Sequence, residues 1–190
     1  MTTSSAHEFF AGSAGVAGAL IGLLFVAISV ASDRVLGPDA SEVHIARAAA
    51  ALTAFTNALT VALFGLIPGF HVGVPATSVA IVGLLFVAGA LISLVPAWRA
   101  KQIALTDITF LVGLLAVFVV QLLVGIGLDR HPEDLGDLQT ICVLMIVCFL
   151  IGIQRSWELV GGPTVGLTHQ LFKLSKSRRA SRGSDGTNEP

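Results

Sequence analysis

Among the uncharged polar side chains inside the long apolar stretches of the sequence, four are the best candidates for binding or transport chemistry. Thr53, Asn57 and Thr60 are spaced i, i+4 and i+7, so on a helix they share one face. Gln121 lies near the middle of another apolar run. Because an amide in hydrocarbon needs hydrogen-bond partners, each must face protein or water. Two interpretations remain: interhelical hydrogen bonds, or a polar lining for a pore or ligand.

The two amides lie at similar depths in their runs. Asn57 is within a residue of the centre of its run, and Gln121 is about 5 Å from the centre of its own. A glutamine side chain can bridge the difference in depth. The spacing therefore predicts a hydrogen bond between Asn57 and Gln121.

Catalytic motifs are absent from the sequence. No Asp, Glu, Lys, Arg or His occurs within the core of any apolar run, and ionisable residues there usually mark catalysis or ion-coupled transport. The chain also lacks a His-Glu-x-x-His zinc motif, a Gly-x-Ser-x-Gly motif and a phosphate-binding loop. We therefore expect no enzymatic activity, no cofactor and no metal.

Histidine and cysteine give no strong site signal. His7, His71 and His131 lie in three separate segments without metal-ligand spacing, so they are interpreted as solvated loop residues. A zinc or copper site formed by the three stays open as an alternative. Cys142 and Cys148 are six residues apart, roughly 240° around a helix, and cannot pair with each other. They are predicted to be small buried apolar residues.

The elements that position these residues follow from composition. Of the 190 residues, 54% are hydrophobic and 12% are charged, against about 25% charged in soluble proteins. The net charge of −1 gives no bias toward nucleic acid. The sequence therefore predicts an integral membrane protein.

Apolar runs divide residues 1–160 into five predicted transmembrane helices. A span needs about 20 apolar residues. The runs are apolar all round and do not alternate, which favours an all-α protein over a barrel. The predicted spans cover residues 9–31, 46–67, 76–96, 108–128 and 136–157.

The distribution of Lys and Arg predicts the orientation. With five spans, Arg130 is the single basic residue on one side, and the other ten of the 11 lie on the opposite side. The positive-inside rule then places the N-terminus outside and the C-terminus in the cytoplasm. Trp98 and Trp157 fall on the same cytoplasmic side, where indoles favour the interface.

Residues 161–190 are predicted to form a basic, largely disordered cytoplasmic tail. A basic cluster beside a membrane gains about 1 kcal/mol per residue from anionic lipid. We expect the tail to meet anionic lipids through five side chains: Lys173, Lys176, Arg178, Arg179 and Arg182.

The first span carries the clearest signal for helix packing. Gly12, Gly15, Gly18 and Gly22 fall on one face, and Gly18-x-x-x-Gly22 allows two backbones to approach closely in a bilayer. We call these four residues the glycine face. It is predicted to meet another helix, with a helix of the same chain preferred over one of a second copy.

Residues 15–29, Gly-Val-Ala-Gly-Ala-Leu-Ile-Gly-Leu-Leu-Phe-Val-Ala-Ile-Ser, resemble the opening helix of small bacterial multipass proteins. Some of those proteins carry a loose label of protease modulator. The resemblance implies a bacterial inner-membrane protein and transfers no catalytic or binding residue. The richness in Ala, Gly and Val fits an actinobacterial source.

Together these patterns predict a non-enzymatic accessory, scaffold or modulator protein. Its partners would be other membrane helices, from a second copy or a foreign protein, and not nucleic acid. The alternative function is a homo-oligomeric passive channel or transporter for a small solute, lined by Thr53, Asn57 and Thr60.

Overall fold

The computed structural model is all-helical in the part of the chain that it describes, and its five helices are each long and apolar enough to cross a membrane. This confirms the predicted all-α class and the predicted number of helices able to span a membrane. The described residues are 3–30, 32, 42–68, 72–99, 105–131 and 134–161. The helices are α1 (Thr3–Val30), α2 (Glu42–Gly65), α3 (Gly73–Arg99), α4 (Leu105–Arg130) and α5 (Leu135–Leu159).

Local chemistry fixes both ends of α5. Before its first turn, the Asp134 carboxylate accepts hydrogen bonds from the backbone N–H of Gly136 at 2.8 Å and of Asp137 at 3.3 Å. These bonds satisfy two donors that have no partner within a helix. After its last turn, Gly161 adopts a φ of 89°, a left-handed conformation that favours glycine.

Consecutive helices run antiparallel, with α2 at the centre of the bundle. The α2 helix contacts each of the other four, whereas α1 contacts α2 and α5. Phe10 near the start of α1 lies against Gly65 at the end of α2, and Gly73 at the start of α3 lies against Asp129 near the end of α4. The starts of α2 and α4 and the ends of α1, α3 and α5 therefore share one end of the bundle. We call it the basic end, because three of the four described Lys and Arg residues lie in these segments, namely Arg47, Arg99 and Arg155.

Small residues on one helix and large ones on the next build the core. The α2 helix buries a run of alanines against its neighbours, including Ala51, Ala54 and Ala58. Three phenylalanine rings lie directly against glycines of a facing helix: Phe10 on Gly65, Phe118 on Gly83 and Phe55 on Gly152. Such contacts suit a bilayer, where dispersion between closely approaching helices drives association.

The glycine face of α1 does not take part in this core. A methyl group placed on Gly12, Gly15, Gly18 or Gly22 would meet no atom of another helix within 4 Å. The preference for a partner helix in the same chain is therefore wrong for the residues that the structure describes. The α1 helix instead buries a different face, formed by Ala6, Phe10, Ser13, Ala17 and Leu24.

One contact between α1 and α2 places a large residue of α1 against small residues of α2. Leu24 of α1 is buried in a cluster with Ala48 and Ala51 of α2. The four glycines of α1 remain on the outside of the bundle.

Candidate functional site

The first polar cluster is a reciprocal amide pair between α2 and α4. The Asn57 Nδ2 donates to the Gln121 Oε1 at 2.9 Å, and the Gln121 Nε2 donates to the Asn57 Oδ1 at 2.8 Å. Both side chains are 1% exposed. The predicted hydrogen bond is present, and each amide supplies the partner that the other needs when it leaves water.

The amide pair also reaches the two remaining inner helices. The Gln121 Nε2 donates to the carbonyl oxygen of Ala76 in α3 at 3.1 Å, and the Asn57 Nδ2 contacts the Cys148 Sγ in α5 at 3.3 Å. Four helices thus meet at one polar point. Cys142 and Cys148 are both buried, as predicted.

The two threonines of the predicted polar face play no part in the hydrogen bonds of the amide pair. The Thr53 Oγ1 donates to the carbonyl oxygen of Ala49 in its own helix at 2.8 Å, and Thr60 is only partly buried. Asn57 is almost fully enclosed by protein atoms. Within the single chain, this face therefore lines no aqueous path at Asn57.

We expect Asn57→Leu and Gln121→Leu to be non-additive in stability. Either substitution alone leaves one buried amide without its partner and lowers the free energy of unfolding by roughly 1–2 kcal/mol. The double variant removes both amides and should recover part of that loss. A double-mutant cycle of thermal unfolding in detergent measures the coupling. Strictly additive losses would contradict a mutual dependence of the two amides.

The second polar cluster joins α2, α4 and α5 at the basic end and was not predicted from the sequence. We call Arg47, Asp107, Arg155 and Glu158 the ion cluster. The Arg47 guanidinium donates to both Asp107 oxygens, from Nε at 2.8 Å and from Nη2 at 2.9 Å. The Arg155 Nη1 donates to the Asp107 Oδ1 and to the Glu158 Oε2, each at 2.7 Å. Two cations and two anions leave the cluster with no net charge.

Three of the four members of the ion cluster are almost fully buried, so the stability of the bundle depends on how their charges are paired. Arg155 is 2% exposed, and Asp107 and Glu158 are each 6% exposed. The Arg155 guanidinium carbon lies 4.0 Å from the centre of the Phe110 ring, close enough for a cation–π contact. Asp107 also lies in the first turn of α4, where a negative charge is favourable.

The ion cluster has little room for a substrate. The cavity between Arg47, Asp107, Phe110 and Arg155 has a volume of about 20 Å³, which is enough for about one water molecule. Since the charges are paired with one another in this space, the arrangement is suited to holding three helices together.

Sequence reasoning missed the ion cluster because its members lie at the boundaries of the apolar runs. Asp107 directly precedes the span predicted at 108–128, and Arg155 lies near the end of the span predicted at 136–157, where a charge is expected at the membrane interface. A usable signal was present, since Arg155 and Glu158 are spaced i, i+3 on one helix. The pairing with Asp107 and Arg47 depends on tertiary contacts that no local pattern encodes.

The other candidate residues form no site among the described residues. There, no three His, Cys, Asp or Glu side chains gather closely enough to hold a metal ion. His7 and His131 are exposed, while His71 lies outside the described residues. The predicted lipid-binding tail, with its five basic side chains, also lies outside them.

The described residues form a helical bundle with five candidate membrane spans. The side chains of the amide pair bond to each other, and those of the ion cluster bond to one another. No family model, curated protein or solved structure matches this chain. A functional assignment must therefore come from the surfaces and contacts of the bundle itself.

Proposed function

We propose that this protein is a non-enzymatic accessory subunit, scaffold or modulator that packs α1 against helices of other membrane proteins. The observation that carries the proposal is the open glycine face. A methyl group added to any of its four glycines would meet no atom of another helix within 4 Å, although glycine at a helix surface is the residue that permits the closest helix–helix contact.

The contrast with other glycines of the bundle supports this assignment. Gly65, Gly83 and Gly152 each accept a phenylalanine ring from a neighbouring helix. The same chain therefore uses glycine to seat a partner helix where it packs internally. On α1 it presents four glycines, from Gly12 to Gly22, along about 15 Å of helix with no partner from its own chain.

The bonding of the interior favours a scaffold over the channel. Asn57 is the central member of the face that would line a channel, and both of its side-chain polar atoms bond to Gln121. A pore through this face would require the amide pair to separate. The scaffold function requires no rearrangement of the bundle.

The proposed location is the bacterial inner membrane, with the N-terminus outside and the C-terminus in the cytoplasm. Ten of the 11 Lys and Arg residues support this orientation. The resemblance of residues 15–29 to the opening helix of bacterial multipass proteins supports the bacterial membrane.

Cysteine labelling in intact cells tests the orientation. A membrane-impermeant maleimide should label His131→Cys, which is exposed in the structure, and should spare Ser181→Cys until the membrane is opened. The natural cysteines are buried and serve as the unlabelled background. Labelling of Ser181→Cys alone would contradict the proposed orientation.

Purification in mild detergent tests the function. The wild-type protein should retain a second membrane protein in fixed stoichiometry, and Gly18→Leu should lose it. The matched control is Gly113→Leu on α4, because Gly113 also has open space around it. A discrete ring of this subunit alone, unchanged by Gly18→Leu, would contradict the proposal and favour the channel.

A further inference from the structure

The five helices divide into two groups that pack more extensively within themselves than against each other. The α3 helix packs mainly on α4, and α2 packs mainly on α1 and α5. We call α3 and α4 the hairpin, the other three helices the three-helix unit, and the boundary between them the seam. Across the seam, α2 and α4 approach each other closely at few positions. Two polar connections nevertheless join these two helices: Asn57 with Gln121, and Arg47 with Asp107.

Close contacts at glycine lie mainly within each group of helices. The three phenylalanine rings that lie on glycines of a facing helix each stay inside the hairpin or inside the three-helix unit. Among the described glycines, Gly127 of α4 makes the one close contact across the seam, with the Asp137 carboxylate of α5. That contact lies at the end of the bundle opposite to the basic end. At the basic end, no described glycine packs closely across the seam.

Two spaces lie along the seam at the basic end. The cavity of about 20 Å³ beside the ion cluster has α2 and α5 on one side and α4 on the other. An open groove of about 430 Å³ lies between α2 and α3. Ala46 of α2 lines both spaces. Because side chains beside a space lose dispersion contacts, packing holds this end of the seam less well than the interior of each group.

The ion cluster is divided unequally between the two sides of the seam. Arg47, Arg155 and Glu158 belong to the three-helix unit, and Asp107 is the one member in the hairpin. Asp107 accepts hydrogen bonds from both arginines at 2.7 to 2.9 Å. Glu158 instead accepts from Arg155 within α5. Asp107 therefore makes every hydrogen bond of the ion cluster that crosses the seam.

Paired charges suit a connection that can open. A buried ion regains its hydration when it is exposed to water, which offsets part of the pairing energy that is lost. Apolar side chains have no such compensation and resist exposure. The Arg47 side chain is already 18% exposed, so water reaches the edge of the ion cluster in the closed bundle.

We infer that the hairpin tilts away from the three-helix unit at the basic end, with the amide pair as the pivot and Asp107 as the latch. Gln121 lies 14 residues beyond Asp107 on α4, a distance of about 21 Å. A tilt of about 15°, a typical size for a rigid-body rotation, would move the basic end of the hairpin by about 5 Å. The inference concerns the interior of the bundle and does not rest on the proposed role of the glycine face.

Distances between two spin labels, measured on the full-length protein in mild detergent by double electron–electron resonance, test this opening. Ile92 of α3 and Trp157 of α5 lie on opposite sides of the seam towards the basic end and are 72% and 55% exposed. With labels on cysteines at these positions, Asp107→Asn should lengthen the main distance by about 5 Å. Arg47→Gln removes one of the two partners of Asp107 and should lengthen it in the same direction, which provides the test should Asp107→Asn fail to fold.

A matched variant separates the latch from a general response to losing a carboxylate. Glu158→Gln removes a carboxylate from the same cluster and breaks no hydrogen bond across the seam. It should leave the distance between positions 92 and 157 unchanged.

Two further label pairs separate the opening from a general loosening of the bundle. Val26 and Trp157 both lie in the three-helix unit, and their distance should stay the same in Asp107→Asn. Val74 and Leu135 lie across the seam at the opposite end, and their distance should not lengthen. An unchanged distance between positions 92 and 157 in both latch variants, the same lengthening in Glu158→Gln, or equal lengthening of all three pairs would each overturn the inference.

Discussion

Replacing Asp107 by leucine is expected to lower the free energy of unfolding by about 3–5 kcal/mol, the cost of leaving an unbalanced positive charge in a buried ion cluster. Asp107 is the shared acceptor for Arg47 and Arg155. Its loss leaves Arg155, which is 2% exposed, with Glu158 as its remaining carboxylate in the cluster. Unfolding by SDS titration in mixed micelles measures the change.

Two controls distinguish this effect from a general response to losing a carboxylate. Asp129→Leu removes an exposed carboxylate at the opposite end of α4 and should change stability by less than about 0.5 kcal/mol. Replacing all four members of the ion cluster by Met and Leu should recover most of the loss, because an apolar cluster leaves no charge unpaired. A loss below about 1 kcal/mol for Asp107→Leu would contradict the structural role.

The second large effect is expected at Gly83. Alanine at this position would push its methyl group into the Phe118 ring, which is fully buried in the core. Overpacking of this kind lowers the free energy of unfolding by about 1–3 kcal/mol. By contrast, Gly18→Ala meets open space and improves helix propensity, so it should leave stability unchanged or raise it by up to about 1 kcal/mol.

A compensating substitution checks the assigned contact. Phe118→Leu makes room for the added methyl group, so Gly83→Ala should be less damaging in that background than in the wild type. The double-mutant cycle is measured by the same SDS titration. Equal losses from Gly83→Ala and Gly18→Ala would show that the two glycines do not differ in their surroundings.

The helices were predictable from sequence because each is a long apolar run bounded by charge or by a turn. The hydrogen bond between Asn57 and Gln121 was predictable for a related reason. A buried amide in hydrocarbon needs a polar partner. Asn57 and Gln121 lie at similar depths in their spans, so each is a partner that the other can reach. The helices follow from the residue pattern along each run. The hydrogen bond follows from the depth of the two amides in the membrane.

The ion cluster and the glycine face were not predictable in the same way. The rotation of α1 depends on its contacts with other helices, such as that of Leu24 with Ala48 and Ala51 of α2, and these are not visible in the sequence of α1 alone. Similarly, the environment of Asp107 is set by residues 60 and 48 positions away in the chain. From sequence alone, a charge at the end of a span is expected at the membrane interface. Its burial depends on tertiary contacts that the sequence pattern does not show.

Site-specific photocrosslinking in the native membrane tests the proposed role of α1 most directly. A benzophenone side chain is placed at Phe25 or Val26, which lie one turn after Gly22 and are 55% and 59% exposed, and at Leu123 of α4, which is 64% exposed on the outside of the bundle. Phe25 and Val26 should each give one discrete adduct with a membrane protein, and Leu123 should give lipid adducts alone. Lipid adducts alone at all three positions would contradict the account.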